Sequence, residues 1–259
     1  MLKKEAREIT GGLSKPSKMP GPAHNLPAQA CKTGAKLVKV PGSVCAGCYA
    51  LKGRYRFKNV QDALQRRLAA LQDPRWVTAM VTLIKDQDWF RWHDSGDIQS
   101  VEHLKNIFEV CKLTPGTQHW MPTREAQFLK DIDPATVPPN LIIRMSSHMI
   151  GQGPVKQWPW TSTVSTAPEA RTCPAPDQSN ECGSCRQCWD KILRRAQEAG
   201  PEVYKLSSSN TQAFKPSLKG SSFKPKSTSS RIRAPGYKRT SWGSGEQATR
   251  IKVFKLCFM

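Results

Sequence analysis

Seven of the nine cysteines in this 259-residue chain fall into two groups whose spacing is that of ligands rather than of disulfide partners. The first group is Cys31, Cys45 and Cys48, a C-x2-C pair with a third thiol thirteen intervening residues upstream. Three thiolates can converge on one inorganic centre and leave a coordination position open, as catalytic metal sites do, whereas a structural zinc site normally closes with four protein ligands. The second group, Cys173, Cys182, Cys185 and Cys188, is spaced C-x8-C-x2-C-x2-C and supplies four by itself. A cubane cluster held by three cysteines keeps one iron free for a substrate or cofactor. A cluster or zinc ion held by four is closed, and structural or electron-relaying. A competing arrangement stays open at this level: Cys45 and Cys48 could join two later cysteines in one zinc knot, with Cys31 an unrelated buried thiol.

A second set of reactive types is His93-Asp94-Ser95-Gly96-Asp97. A histidine and carboxylates at the end of a strand suit metal ligation or acid-base work. The plain alternative is a turn in which Asp97 hydrogen-bonds its own backbone. The two are compatible, because a glycine lets a ligand approach the backbone and Asp97 offers a carboxylate to an ammonium group. His24 and His148 read as structural, and no single catalytic residue emerges.

The elements that must position these groups alternate. Val60, Ala63, Leu64, Leu68 and Leu71 recur at helical spacing behind Asn59 as N-cap, and Asp73-Pro74 starts a second helix with Trp76, Val77, Met80, Val81 and Ile84 on one face. Trp89 to Asp94 reads as a strand. Ser100 caps a helix whose apolar face is Leu104, Ile107, Phe108 and Cys111, which makes Cys111 a core residue. Gln118–Met121 and Leu141–Met145 read as further strands, with a short helix capped by Thr123 between them, and 161–166 as another strand. Residues 1–30 supply a first strand leading into Cys31, and a short amphipathic helix follows Cys188. Strands alternating with helices predict right-handed crossovers and a parallel sheet, with ligands beyond the carboxyl ends of the strands. His93 to Asp97, Thr123-Arg124 and Ser146-Ser147-His148 should then face a common mouth.

The chain carries 40 Lys and Arg against 20 Asp and Glu, a net charge of +20 that favours polyanionic partners. Half of it lies after Leu206, where eleven basic residues and one acidic residue sit in a Ser-, Lys- and Pro-rich stretch. That composition predicts a disordered basic tail over 206–259, distinct from the cysteine-bearing domain over 1–205. Its interleaved Phe214, Phe223, Tyr237 and Trp242 are compatible with nucleic-acid contacts or with a merely solvated or frameshifted extension. No run is long and apolar enough to span a bilayer, and the first residues lack the apolar core of a signal peptide. The expectation is a soluble cytoplasmic protein whose thiols ligate metal.

The segments PAQACKTGAKLVKVPGSVCAGCYALKGRY, RWHDSGD and CPAPDQSNECGSCRQCW together resemble the phage "gene product 88" domain proteins over about residues 15–205. That family has no established activity, and the resemblance implies a phage protein acting in the host cytoplasm. More distantly the motifs are similar to radical S-adenosylmethionine (SAM) enzymes, which implies an α/β fold of partial (β/α) barrel type. It also implies a 4Fe-4S cluster on Cys31, Cys45 and Cys48, with SAM at the open iron. Ser95, Gly96 and Asp97, with His93 beside them, would correspond to the segment that binds the SAM amino group. Two features depart from the radical SAM pattern: the first gap is thirteen residues rather than three, and Tyr49 follows Cys48 instead of an aromatic preceding it. Cys173, Cys182, Cys185 and Cys188 would hold a second 4Fe-4S cluster or zinc, an electron-donor protein would be a partner, and a nucleotide or nucleic acid the substrate. A reading from another class is a zinc-stabilised nucleic-acid-binding protein without catalysis.

Overall fold

The computed structural model describes residues 1–166 and 173–191. The expected tail, and most of the helix expected after Cys188, lie outside the described residues. The strands are β1 (Ala23–His24), β2 (Trp89–Trp92), β3 (Gln118–Thr123), β4 (Leu141–Ser146) and β5 (Thr161–Ser162). They form one sheet in sequential order, and every neighbouring pair is parallel. The helices are α1 (Lys3–Thr10), α2 (Gly34–Leu37), α3 (Lys58–Ala70), α4 (Trp76–Ile84) and α5 (Val101–Leu113). The mixed α/β class with a parallel sheet is therefore the one that the alternation predicts. None of the helices is long and apolar enough to cross a membrane among the described residues.

Alternation along the strands separates two faces. Phe90, Trp92, Met121, Leu141, Ile143 and Met145 pack with Trp76, Met80 and Ile84 of α4 and with Leu104, Ile107, Phe108 and Cys111 of α5. The register that aligns Arg91, Trp120 and Ile142 turns these residues to the opposite face. There Trp120 and Ile142 are covered by Trp189, with Met19, Trp89, Trp160 and Cys188 around it. One face of the sheet thus belongs to helices and the other to the second cysteine segment.

Local chemistry sets the element ends. Ser100 caps α5 by accepting from the His103 amide at 3.0 Å, as its position predicts. The helix expected to begin at Pro74 begins at Trp76, because the Asp73 carboxylate accepts from the Arg75 amide and holds the preceding turn. Thr123 ends β3 instead of capping a helix. Its hydroxyl donates to Asp97 at 2.6 Å, and only a 3-10 turn, Ala126–Phe128, follows. The strand expected over 161–166 is limited to Thr161–Ser162. Helix α1 is missing from the sequence reading, since it is charged, two turns long and without a side-chain cap. It is held by Ala6 and Ile9 packing on Ala79 and Leu83 of α4.

Candidate functional site

The first three cysteines lie on a loop that follows β1 and is pinned at three places to the ends of other strands. Just beyond β3, Glu125 is fully buried and accepts from the Thr33 amide at 2.8 and 3.1 Å and from the Thr33 hydroxyl at 2.8 Å. Charge-assisted bonds of this kind are about twice as strong as neutral ones, and water does not compete for a buried carboxylate. Beyond β4, the Val44 amide donates to the His148 carbonyl and the Ile150 amide to the Gly42 carbonyl, both at 2.9 Å, with an antiparallel bridge between Ser43 and Met149. Beyond β2, the Tyr49 hydroxyl donates to the Asp94 carbonyl, and Tyr55 donates to the Asp94 carboxylate at 3.2 Å. The loop therefore sits over the carboxyl ends of the sheet, where parallel α/β folds place their ligands.

Inside the loop, Ser43 accepts from the Ala46 amide at 3.0 Å and donates to the Leu37 carbonyl at 2.6 Å, fixing the 3-10 turn Val44–Gly47 that carries Cys45. A Cβ at Gly34 would stand 3.0 Å from the Cys31 Cβ, 3.6 Å from its Sγ and 3.7 Å from the Cys45 Sγ. The absence of a side chain there keeps open the space beside both sulfurs. Burial pushes the Cys31 thiol well above its ordinary range, and the charges of Asp97, Glu125, Cys48 and Cys45 push the same way. Burial also raises Cys45, with the Arg124 guanidinium pulling back and Cys48, Asp97 and Glu125 adding to the rise. The three sulfurs are thus electrostatic neighbours of one another, and those of Cys31 and Cys45 also of the Asp97 carboxylate.

The turn after β2 is a junction. The Ser95 hydroxyl donates to the Leu26 carbonyl at 3.0 Å, and the Leu26 amide donates to the Ser95 carbonyl at 2.9 Å. Gly96 has φ 74°, and a Cβ there would come within 2.5 Å of the Leu26 Cβ, so only glycine fits. The buried Asp97 carboxylate accepts from the Ile98 amide at 2.8 Å, the Thr123 hydroxyl at 2.6 Å and the Arg124 amide at 3.0 Å. Burial pushes Asp97 up to about 6 against the pull of Thr123 and Arg124. His93 is buried with Nδ1 2.9 Å from the His24 carbonyl oxygen, and its ring centroid is 5.5 Å from those of both His24 and His103. Burial lowers His93 to about 4 and moves His24 and His103 well below 6.5, so all three are neutral at pH 7. These residues gather beneath the cysteine loop, with Ser95, Gly96 and Asp97 engaged by the chain itself.

The second group lies against the face of the sheet opposite α4 and α5. The Arg144 guanidinium, projecting from β4, donates to the carbonyls of Gln187 and Asp190 at 2.8 Å and of Cys188 at 3.2 Å. The Trp189 indole donates to the Phe90 carbonyl at 3.0 Å, and the Cys182 amide to the Lys18 carbonyl at 2.9 Å. Burial pushes Cys188 up to about 12, with Arg144 lowering it and Cys173 and Cys182 raising it. A cavity of about 60 Å³ opens between this segment and the strand ends, bordered by Trp120, Pro122, Arg124, Ser146, Cys173 and Cys188. None of the described cysteines forms a disulfide. Among the described residues, no group of three or more His, Cys, Asp or Glu stands arranged to hold a metal ion as it is. The donor set is nonetheless thiol-rich in both places, and Gly34 keeps a side chain from crowding the Cys31 and Cys45 sulfurs.

Sequence reasoning did not find Glu125, Tyr49, Gly34 or Arg144. Only Arg144 left a trace, as a lone cation inside the apolar strand LIIRMS. The model of the family described as Gene product 88 matches residues 1–191. No curated protein and no solved structure matches the chain.

Proposed function

This chain belongs to the Gene product 88 family, whose name assigns no reaction, and from that premise we propose that it is an iron-sulfur protein of radical SAM type. The observation that supports the reading is the pinning of the loop that carries Cys31, Cys45 and Cys48 over the carboxyl ends of the strands, with the Cys31 and Cys45 sulfurs both beside Gly34. When bound, a 4Fe-4S cluster with SAM at its open iron supplies one-electron cleavage of SAM and a radical able to remove hydrogen from a substrate. Strands in sequential order with no reversal, helices on one face and a loop of ligands after β1 support a partial (β/α) barrel.

The chain's own residues prepare that site. Cys31 and Cys45 are protonated at neutral pH without metal, so loading releases their protons and strengthens as pH rises. Arg124 offsets part of the negative charge that three thiolates bring. Glu125, Tyr49 and the Val44 to His148 bond hold the loop still, so the ligands need not be ordered on binding. Asp97, with Ser95, Gly96 and His93 around it, is the group next to the triad that can meet a ligand ammonium. Its Oδ2 takes a single hydrogen bond from the chain and retains acceptor capacity. Cys173, Cys182, Cys185 and Cys188 would hold an auxiliary cluster or zinc against the opposite face. An electron-donor protein is the partner this chemistry calls for, and the positive charge of the chain supports a nucleotide or nucleic acid as substrate.

Anaerobic purification followed by iron, sulfide and zinc analysis tests the proposal, together with spectra of the reduced protein with and without SAM. The expected result is iron and sulfide in matching amounts and a spectrum that changes when SAM is added. Zinc alone, with no response to SAM, would replace this reading by the non-catalytic zinc-stabilised binder.

A further inference from the structure

The segment that carries the first cysteines is also where the charge of the folded part is concentrated. The 28 residues from Cys31 to Lys58 contain seven Lys or Arg and no Asp or Glu, while residues 59–205 contain seventeen basic and seventeen acidic residues. All seven cations of the segment are exposed. Lys32, Lys36 and Lys39 lie on the arm around α2, and Lys52, Arg54 and Arg56 on the arm that leads into α3. Between the two arms is the Cys45–Cys48 turn, whose Ala46 and Gly47 are exposed. Among the described residues only Lys58 of this set has an ion-pair partner, Asp62 at 2.9 Å. A surface kept charged only for solubility interleaves both signs. This one holds a single sign on a loop that Glu125, Asp94 and the His148 strand end pin in place, so the mutual repulsion is retained without compensation inside the fold. Beside the second arm, between Arg56 and Lys58, Phe57 exposes 59% of its surface.

We propose that this cap is a binding surface for single-stranded nucleic acid, with phosphates on Lys32, Lys36, Lys39, Lys52, Arg54 and Arg56 and a base stacked on Phe57. Cations along a backbone track with an exposed aromatic beside them are the two parts from which sequence-tolerant single-strand sites are made. A duplex has no free base face for Phe57, and an acidic protein has no need of one. The fate of the bound strand rests on the proposed function, which makes a nucleotide of a polynucleotide the substrate class at the mouth below the cap. Binding itself is independent of that reading.

The test is fluorescence anisotropy of full-length protein with labelled (dT)20 and U20 across a salt series, read without reductant or SAM. A failed iron assay and a failed binding assay then remain separate results. Neutralising four cap cations (K36Q/K39Q/R54Q/R56Q) should weaken binding at least thirty-fold at 100 mM KCl and flatten the salt slope by about three. Phe57→Ala should weaken it about ten-fold with the slope unchanged. The matching tail variant (K215Q/K219Q/K224Q/K226Q) should change affinity less than three-fold. Every substituted cap residue is exposed, and an unchanged melting temperature shows that the fold persists. Binding by either strand type in this pattern supports the assignment. It is overturned if wild-type protein does not bind, or if the tail variant shows the loss instead. It is also overturned if polyglutamate competes equally and Phe57→Ala has no effect, which would make the cap a docking surface for an acidic protein.

Discussion

The two cysteine groups are built into the fold in opposite ways. The first stands on a loop at the rim of the sheet, tied to the strand ends by Glu125 to Thr33, by Tyr49 and Tyr55 to the carbonyl and carboxylate of Asp94, and by backbone bonds of Gly42 and Val44 to Ile150 and His148. The second is laid flat against a sheet face and held through its own backbone, whose carbonyls take the fork of Arg144. Anchors at a rim place the half-buried sulfurs at the carboxyl ends of the strands, which suits a centre that must receive a ligand. The Arg144 fork and the packed Trp189 fasten the segment to the sheet along its length, which suits a centre that only needs to persist. The difference also separates their failures, because nothing in one set of anchors is shared with the other.

The sharpest break is removal of a ligand. Cys45→Ala should abolish the SAM-dependent spectral change altogether and leave the metal of the second group in place. Loss of all metal from a folded variant would instead favour one shared zinc knot. Next in size are the anchors. Arg144→Met deletes donors to three backbone carbonyls and should cost about 2 kcal/mol in urea unfolding, with metal lost from the second group only. Glu125→Ala should cost a similar amount and strip the first group alone. Equal metal loss at both groups in either variant would show that the two regions are coupled.

Acid should act on the floor of the first region. His93 titrates near 4 in the folded protein against about 6.5 unfolded, so the unfolded chain binds its proton first and stability falls as pH drops below about 6.5. For His93 alone the loss between pH 6.5 and 4.5 is about 2 kcal/mol. His24 and His103, and His119 lowered to about 3, act in the same direction. Asp97, raised to about 6, acts in the opposite one, since its folded form takes up a proton first as pH falls. Four histidines outweigh it, and urea midpoints that rise as pH is lowered from 6.5 would refute this. The smallest effect is expected from Gly34→Ala. A Cβ 3.0 Å from that of Cys31 should leave stability within about 1 kcal/mol and lower iron loading of the first group.

Much of the frame was legible beforehand. The strands at Trp89, Gln118 and Leu141, and the Ser100-capped helix, follow from apolar runs and spacing that a short window reveals. Helix α1 was not legible, because two charged turns acquire stability only by packing on α4. Thr123 had the right chemistry for a cap and does accept the Glu125 amide at 3.0 Å, but its hydroxyl also donates to Asp97, twenty-six residues earlier, and no local rule anticipates a partner at that distance. Ser95-Gly96-Asp97 was recognisable as a turn. That Gly96 is required by contact with Leu26 belongs to a pairing across seventy residues.

By itself the sequence determined the parallel α/β class and where the cysteines fall along the chain, three after β1 and four after β5, since periodicity and spacing are local properties of a chain. The tertiary structure alone decided which contacts make the first group a rim and the second a cover. Glu125 reaches Thr33 across ninety-two residues and Arg144 reaches Gln187 across forty-three. Such pairs are chosen by the free energy of burying a charge with its donors satisfied, a quantity that exists only once the sheet has brought the distant segments together.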